Sequence, residues 1–86
     1  MNVSVEITLT PLQEDYEDHI KAFIRLLRQS EFVVQENPLS TQIYGELAPL
    51  MLFLTTAIAT SFDALAAGMI HLKIVKNDRS AYVPFS

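Results

Sequence analysis

The first ten residues alternate: Val3, Val5, Ile7 and Leu9 are separated by Ser4, Glu6, Thr8 and Thr10, the two-residue period of a strand with one dry and one wet face. Pro11 ends that run. Apolar residues then recur at helical spacing, Tyr16, Ile20, Phe23, Ile24 and Leu27. Glu14, Asp15, Glu17 and Asp18 precede Lys21, Arg25 and Arg28, the charge order that a helix dipole favours. Phe32 to Gln35 is rich in β-formers, Asn37-Pro38-Leu39-Ser40 supplies turn chemistry, and Thr41 to Glu46 resumes an extended pattern. These three pieces predict an antiparallel hairpin.

From Leu47 to Phe62 no residue is charged, and Pro49 suits the first turn of a second helix. At 100° per residue Leu50, Phe53, Leu54, Ala57, Ile58, Phe62 and Leu65 share one arc. Leu52, Thr55, Thr56, Ala59, Thr60, Asp63 and Ala66 share the other. The run is shorter than the roughly 20 apolar residues of a spanning helix, and its Thr-rich arc favours an amphipathic core helix over a membrane segment. Gly68 stands where a left-handed residue would stop this helix. Ile70, Leu72 and Ile74 alternate with His71, Lys73 and Val75 as a fourth strand, and Asn77 to Ser86 forms a tail in which Tyr82, Val83 and Phe85 are available for docking.

The predicted order is βαββαβ in one domain over residues 1–86, with a core spanning about 3–76 and a tail over 77–86. Right-handed crossovers turn that order into an α+β, ferredoxin-like sandwich: a four-stranded antiparallel sheet, strand order 4-1-3-2, with both helices on one face. The alternation sends Val3, Val5, Ile7, Phe32, Val34, Ile43, Ile70, Leu72 and Ile74 toward the helices. Ser4, Glu6, Thr8, Gln35, Gln42, Tyr44, Glu46, His71 and Lys73 form the opposite, polar face, which a lone subunit leaves uncovered. Such a face meets either water, another subunit or a polar ligand; Tyr44 between Gln42 and Glu46 offers an aromatic plate beside acceptors for a flat or cationic ring. The uncharged outer side of the second helix suggests close packing by a second chain.

Composition narrows the function classes. Six Lys and Arg against ten Asp and Glu give a net charge of −4, the wrong sign for a nucleic-acid binder. The third strand, Thr41 to Glu46, lacks the aromatic and basic residues of RNA-recognition modules. No cysteine means neither disulfides, thiolate metal ligation nor a cysteine nucleophile. His19 and His71 lack metal-ligand spacing, two glycines cannot build a phosphate loop, and no nucleophile elbow surrounds a serine. No cofactor, metal or membrane contact is expected. The amino-terminal segment has neither the basic start nor the apolar run of a signal peptide, so the cytoplasm is the expected location.

Val5-Glu6-Ile7-Thr8-Leu9 with Pro11, then Ser30 and Phe32, then Asn37-Pro38-Leu39-Ser40-Thr41 with Ile43, Gly45 and Glu46, resembles the YkoF-like thiamine-binding proteins and their small single-domain relatives, which carry an NPMGTxIEGE-like segment at this hairpin. The resemblance covers about residues 3–75. It implies a cytoplasmic ferredoxin-like protein, a homodimer or homotetramer assembled through its sheets, that binds thiamine or its hydroxymethylpyrimidine moiety without catalysis. Its matching positions put ligand contacts at Thr8, Asn37, Ser40, Thr41 and Glu46. The residue reading adds Glu6 and Tyr44 as partners for a thiazolium cation. Glu31, Leu39, Ser40 and Tyr44 depart from the family pattern, where glycine, methionine, glycine and an acid are usual.

Three functions remain at this level. The first is a non-enzymatic binder of thiamine or a pyrimidine, its ligand held at the sheet face or between subunits. The second is a structural or regulatory homo-oligomerisation domain with no small ligand. The third is an enzyme using Glu6, His71 and Lys73 as acid–base groups, which requires those three to cluster beside a cavity.

Overall fold

A computed structural model of the chain describes residues 1–85. Its elements are β1 (Asn2–Pro11), α1 (Tyr16–Arg28), β2 (Val33–Glu36), β3 (Thr41–Glu46), α2 (Leu47–Ala64) and β4 (Gly68–Lys76). The four strands form one antiparallel sheet in the order β2-β3-β1-β4, which is the expected 4-1-3-2 sandwich. β1 lies between β3 and β4, so its alternation is the spine of the core. Val3, Val5, Ile7 and Leu9 are buried with Ile43 against Phe23 and Leu27 of α1 and Leu50, Leu54 and Ala57 of α2.

Each helix follows from its own chemistry. α1 has Glu17 and Asp18 in its first turn and Arg25 and Arg28 in its last, complementing its dipole. Arg28 donates through Nε and a terminal nitrogen to both oxygens of Glu36, at 2.7 Å each, tying the helix end to β2. α2 is long and apolar enough to cross a membrane by length and composition alone. Here the stripe Leu50, Leu54, Ala57 and Ser61 lies against the sheet, and Leu52, Thr55, Thr56, Ala59, Thr60 and Asp63 are exposed.

Two sequence expectations about α2 are corrected. Phe62 was expected inside but is 43% exposed, and Ser61 is buried in its place; the helix is turned so that its smallest side chains approach the sheet. Gly68 is not a left-handed cap, because no glycine among the described residues has positive φ. The helix ends at Ala64 with Leu65 extended, and Gly68 opens β4 opposite Pro11. A Cβ there would meet Leu65 Cδ1 at 2.8 Å, the tip of a side chain that can turn aside, and the Thr10 carbonyl oxygen at 3.4 Å, an ordinary contact.

The polar sheet face also differs from expectation. It is not open along its whole length, because the chain turns back over it after β4. Asn77 takes positive φ, 78°, a conformation asparagine tolerates better than most residues. The Ser4 hydroxyl donates to the Asn77 carbonyl and accepts from the Arg79 amide, each at 2.8 Å. The Gln35 amide donates to the Ser80 carbonyl at 3.0 Å. The segment 77–80 thus runs across β1 toward β2, while Tyr82, Val83 and Phe85 beyond it remain exposed rather than docked.

Candidate functional site

The hairpin between β2 and β3 is fixed by Asn37. Its side-chain oxygen accepts from the amides of Leu39 and Ser40 at 2.9 and 3.1 Å, and its backbone amide donates to the Ser40 carbonyl at 3.2 Å. This is the Asx-type turn that Asn and Pro favour. It holds Leu39 outward, 89% exposed.

Beneath this turn lies a cavity of about 200 Å³ between the hairpin, the end of β1 and α1. Ile20, Phe23 and Ile24 of α1 form its apolar wall, and Thr8, Asn37, Ser40 and Thr41 line it from the sheet side. Thr41 pairs with Ile7 and therefore projects on the helix side. The β1–β3 ladder ends at that pair, while β1 continues to Pro11. Peptide groups of Thr8 to Thr10 on that edge have no strand beside them. An edge of this kind offers a donor and an acceptor close together.

The remaining candidates lie on the polar face. Ser40 donates to Glu6 Oε2 at 2.9 Å and accepts from Gln42 Nε2 at 2.7 Å. Asn37 Nδ2 reaches Gln42 Oε1 at 3.4 Å. Glu6 also faces Lys73, with Oε1 3.9 Å from Nζ. The hydroxyl of Ser40 and the oxygen of Asn37 are thus committed to holding the hairpin. Among the described residues the hydroxyls of Thr8 and Thr41 make no side-chain hydrogen bond.

Tyr44 is not the exposed plate expected. Its ring is 8% exposed, paired across from Ser4 and Val33, and its hydroxyl donates to Gln35 Oε1 at 2.9 Å. Burial first, and the nearby Asp78 carboxylate second, push its ionisation above the usual phenol range. Glu46 stands apart at the other end of β3. It accepts from the Met1 ammonium at 2.7 Å.

A second cavity, about 210 Å³, opens on this face between Ser4, Glu6, Gln42, Tyr44, Lys73 and Arg79. It holds one carboxylate and two cations, a balance that disfavours a thiazolium. Glu6, His71 and Lys73 do share a depression of about 260 Å³ with Thr8 and Leu72. All three are exposed, so water screens the weak Glu6–Lys73 pairing. Sequence reasoning found the residues around the turn. It missed Phe23 and Ile24 as cavity wall, although their helical phase against a hairpin was the available signal.

The fold is shared with solved structures. A protein from Thermotoga maritima provisionally named a thiamine biosynthesis/salvage protein (TM0486) superposes with TM-score 0.82 at 19% identity, over 90% of this chain and 85% of its own. Protein SP2199 of Streptococcus pneumoniae gives 0.84 at 22% identity, over 94% and 92%. A domain of unknown function, DUF77, from Bacillus cereus gives 0.75 at 21% identity, over 98% and 83%. No family model matches the chain, and no curated protein matches it in sequence. At these identities the likeness establishes the ferredoxin-like fold.

Proposed function

We propose that the protein binds a neutral aminopyrimidine, the hydroxymethylpyrimidine half of thiamine or a close analogue, in the cavity under the hairpin, without turning it over. The observation that carries this reading is the juxtaposition of Thr41 and the unpaired edge of β1 at Thr8 and Leu9 with the apolar wall of Phe23 and Ile24. An aminopyrimidine presents adjacent donor and acceptor atoms on a flat apolar ring, which matches an unpaired strand edge above an aromatic floor.

Volume and charge refine the choice. Pockets for drug-sized ligands run to about 300–1,000 Å³, and the cavity of about 200 Å³ is suited to one ring rather than two. No charged residue lines it, so a neutral ring fits better than the thiazolium cation. The YkoF-like resemblance of the hairpin and the thiamine-related name of the Thermotoga maritima neighbour support the same ligand class. The exposed Glu6–His71–Lys73 cluster supports acid–base catalysis less well, because its groups are hydrated and face away from this cavity.

Calorimetric titration with hydroxymethylpyrimidine and with thiamine tests the proposal. The pyrimidine should bind and thiamine should bind more weakly. Thr41→Val keeps the shape and removes one hydrogen bond, worth about 0.5–1.5 kcal/mol, so affinity should fall roughly 2- to 13-fold. No heat and no melting shift with either compound at millimolar concentration overturns the reading.

A further inference from the structure

We infer that the ligand carries a phosphate ester on its hydroxymethyl arm, held just outside the cavity by Lys21, Arg25 and Arg28 of α1. The inference rests on the pyrimidine reading of the cavity under the hairpin and concerns which form of that ring the protein takes up. The cations of the chain are unevenly placed. Six Lys and Arg occur in a chain of net charge −4, and Lys21, Arg25 and Arg28 recur on one side of α1. The others, Lys73, Lys76 and Arg79, lie on β4 and just beyond it.

Lys21, Arg25 and Arg28 line a depression of about 240 Å³ whose remaining wall is Ile24. Ile24 also walls the cavity under the hairpin, with Ile20 and Phe23. The two spaces therefore adjoin at one side chain, an uncharged chamber sized for a ring and beside it a shelf of cations. At 100° per residue Ile24 stands between the buried Phe23 and Leu27 and the exposed Arg28, Lys21 and Arg25. Apolar wall gives way directly to charge.

These charges are available to a ligand. Among the described residues Lys21 and Arg25 form no ion pair. Arg28 engages Glu36 through Nε and one terminal nitrogen, which leaves its Nη1 for another acceptor. Complementing the helix dipole accounts for Arg25 and Arg28, but that effect is confined to the last turn and does not call for Lys21 in mid-helix. Glu17, on the same flank, stands roughly 10 Å along the axis from Ile24, about one Debye length at 0.1 M salt.

Ligand chemistry completes the match. With its donor–acceptor edge on β1, the aminopyrimidine carries its hydroxymethyl arm on the carbon next to the amino group, at the flank of the ring. A phosphate ester there adds about −1.5 to −2 charge at pH 7 and three acceptor oxygens, which Arg and Lys recognise through charge-assisted hydrogen bonds. In thiamine the same arm carbon bears the thiazolium, which brings a positive charge to the same three cations. The shelf thus sorts ligands by sign: it attracts the ester, is indifferent to the alcohol and repels thiamine.

Calorimetric titration of the full chain with the alcohol, its phosphate ester, thiamine and methyl phosphate tests this. At about 20 mM salt the ester should bind roughly tenfold tighter than the alcohol or better, and about 0.3 M salt should remove most of that advantage. Arg25→Gln and Lys21→Gln, at exposed helix positions, should each lower the ester-to-alcohol affinity ratio at least threefold and at the same time tighten thiamine. A merely structural loss would weaken all three. Lys76→Gln makes the same change in net charge beside Val3, at the end of the sheet away from the hairpin, and should leave the ratio within twofold. An ester that binds no tighter than the alcohol overturns the inference and leaves the pyrimidine reading standing, whereas no binding by either compound removes both. An advantage that Arg25→Gln and Lys21→Gln leave intact, or that Lys76→Gln reduces as much, also refutes the shelf. Methyl phosphate binding as tightly as the ester refutes the link to the ring and leaves only a site for free phosphate.

Discussion

Replacing Gly45 with alanine tests how the layers are packed above β3. Gly45 lies opposite Val3 on the core side, and a Cβ built on it would stand 2.6 Å from Cδ1 and 3.0 Å from Cε1 of Phe32. Carbon atoms rest at about 3.5–4.0 Å, so the ring must retreat by roughly 1 Å. Phe53 stands behind it, ring centroids 5.7 Å apart and tilted 47°. Overpacking costs about 1–3 kcal/mol, and exchanging glycine for alanine in a strand returns about 0.5–1 kcal/mol. The net expectation is about 1.5 kcal/mol of destabilisation, a fall in Tm of roughly 6–12 °C for a domain of this size. Urea and thermal melts of the four members of a Gly45→Ala, Phe32→Leu cycle measure it. In the Phe32→Leu background the alanine should cost nothing or stabilise, giving a coupling energy above about 1 kcal/mol. A neutral Gly45→Ala, or an equal penalty in both backgrounds, refutes the argument that the ring requires the glycine.

Other outcomes follow from the same structure. Ser4→Ala removes the two hydrogen bonds that hold segment 77–80 and should cost about 1–2 kcal/mol; faster amide exchange at Arg79 and earlier tryptic cleavage there would show it, and unchanged exchange would show that the clasp lies elsewhere. The hydrogen bond and charge of Arg28 hold the Glu36 carboxyl below its ordinary range. A depressed carboxylate contributes stability above its unfolded pKa that is lost as pH falls through the folded value. Carboxyl NMR titration should place Glu36 low, and Arg28→Gln should return it to the ordinary range.

The parts of the fold legible in the sequence were those whose period meets a single buried face. Val3, Val5, Ile7 and Leu9 show this best, since a strand alternates unambiguously and one slip would invert every side chain. The hairpin was legible because Asn37 and Pro38 act within their own neighbourhood. α2 was harder. With apolar side chains on both arcs, hydrophobicity fixes its phase poorly, and the small Ala57 and Ser61 lie inward where Phe62 was expected. The candidate site divided the same way. Residues 37–41 stay together because one turn holds them. Glu46, five residues beyond Thr41, is carried to the far end of β3, and Tyr44 is covered by a tail whose contacts with Ser4 span more than 70 residues of sequence.

β1 is the first strand in the sequence and occupies the middle of the sheet, with ladders that join Val3 to Gly45 on one side and to Lys76 on the other. A ribosome therefore releases the central strand long before either neighbour exists to cover it. The sheet cannot be completed until residue 76 clears the exit tunnel, and closing so wide a loop places acquisition of the native state on the slow side for a mixed α/β domain of this length. During that interval Val3 to Leu9 is an unshielded aggregation-prone segment, and chaperone demand during synthesis should track its hydrophobicity rather than that of the longer apolar helix.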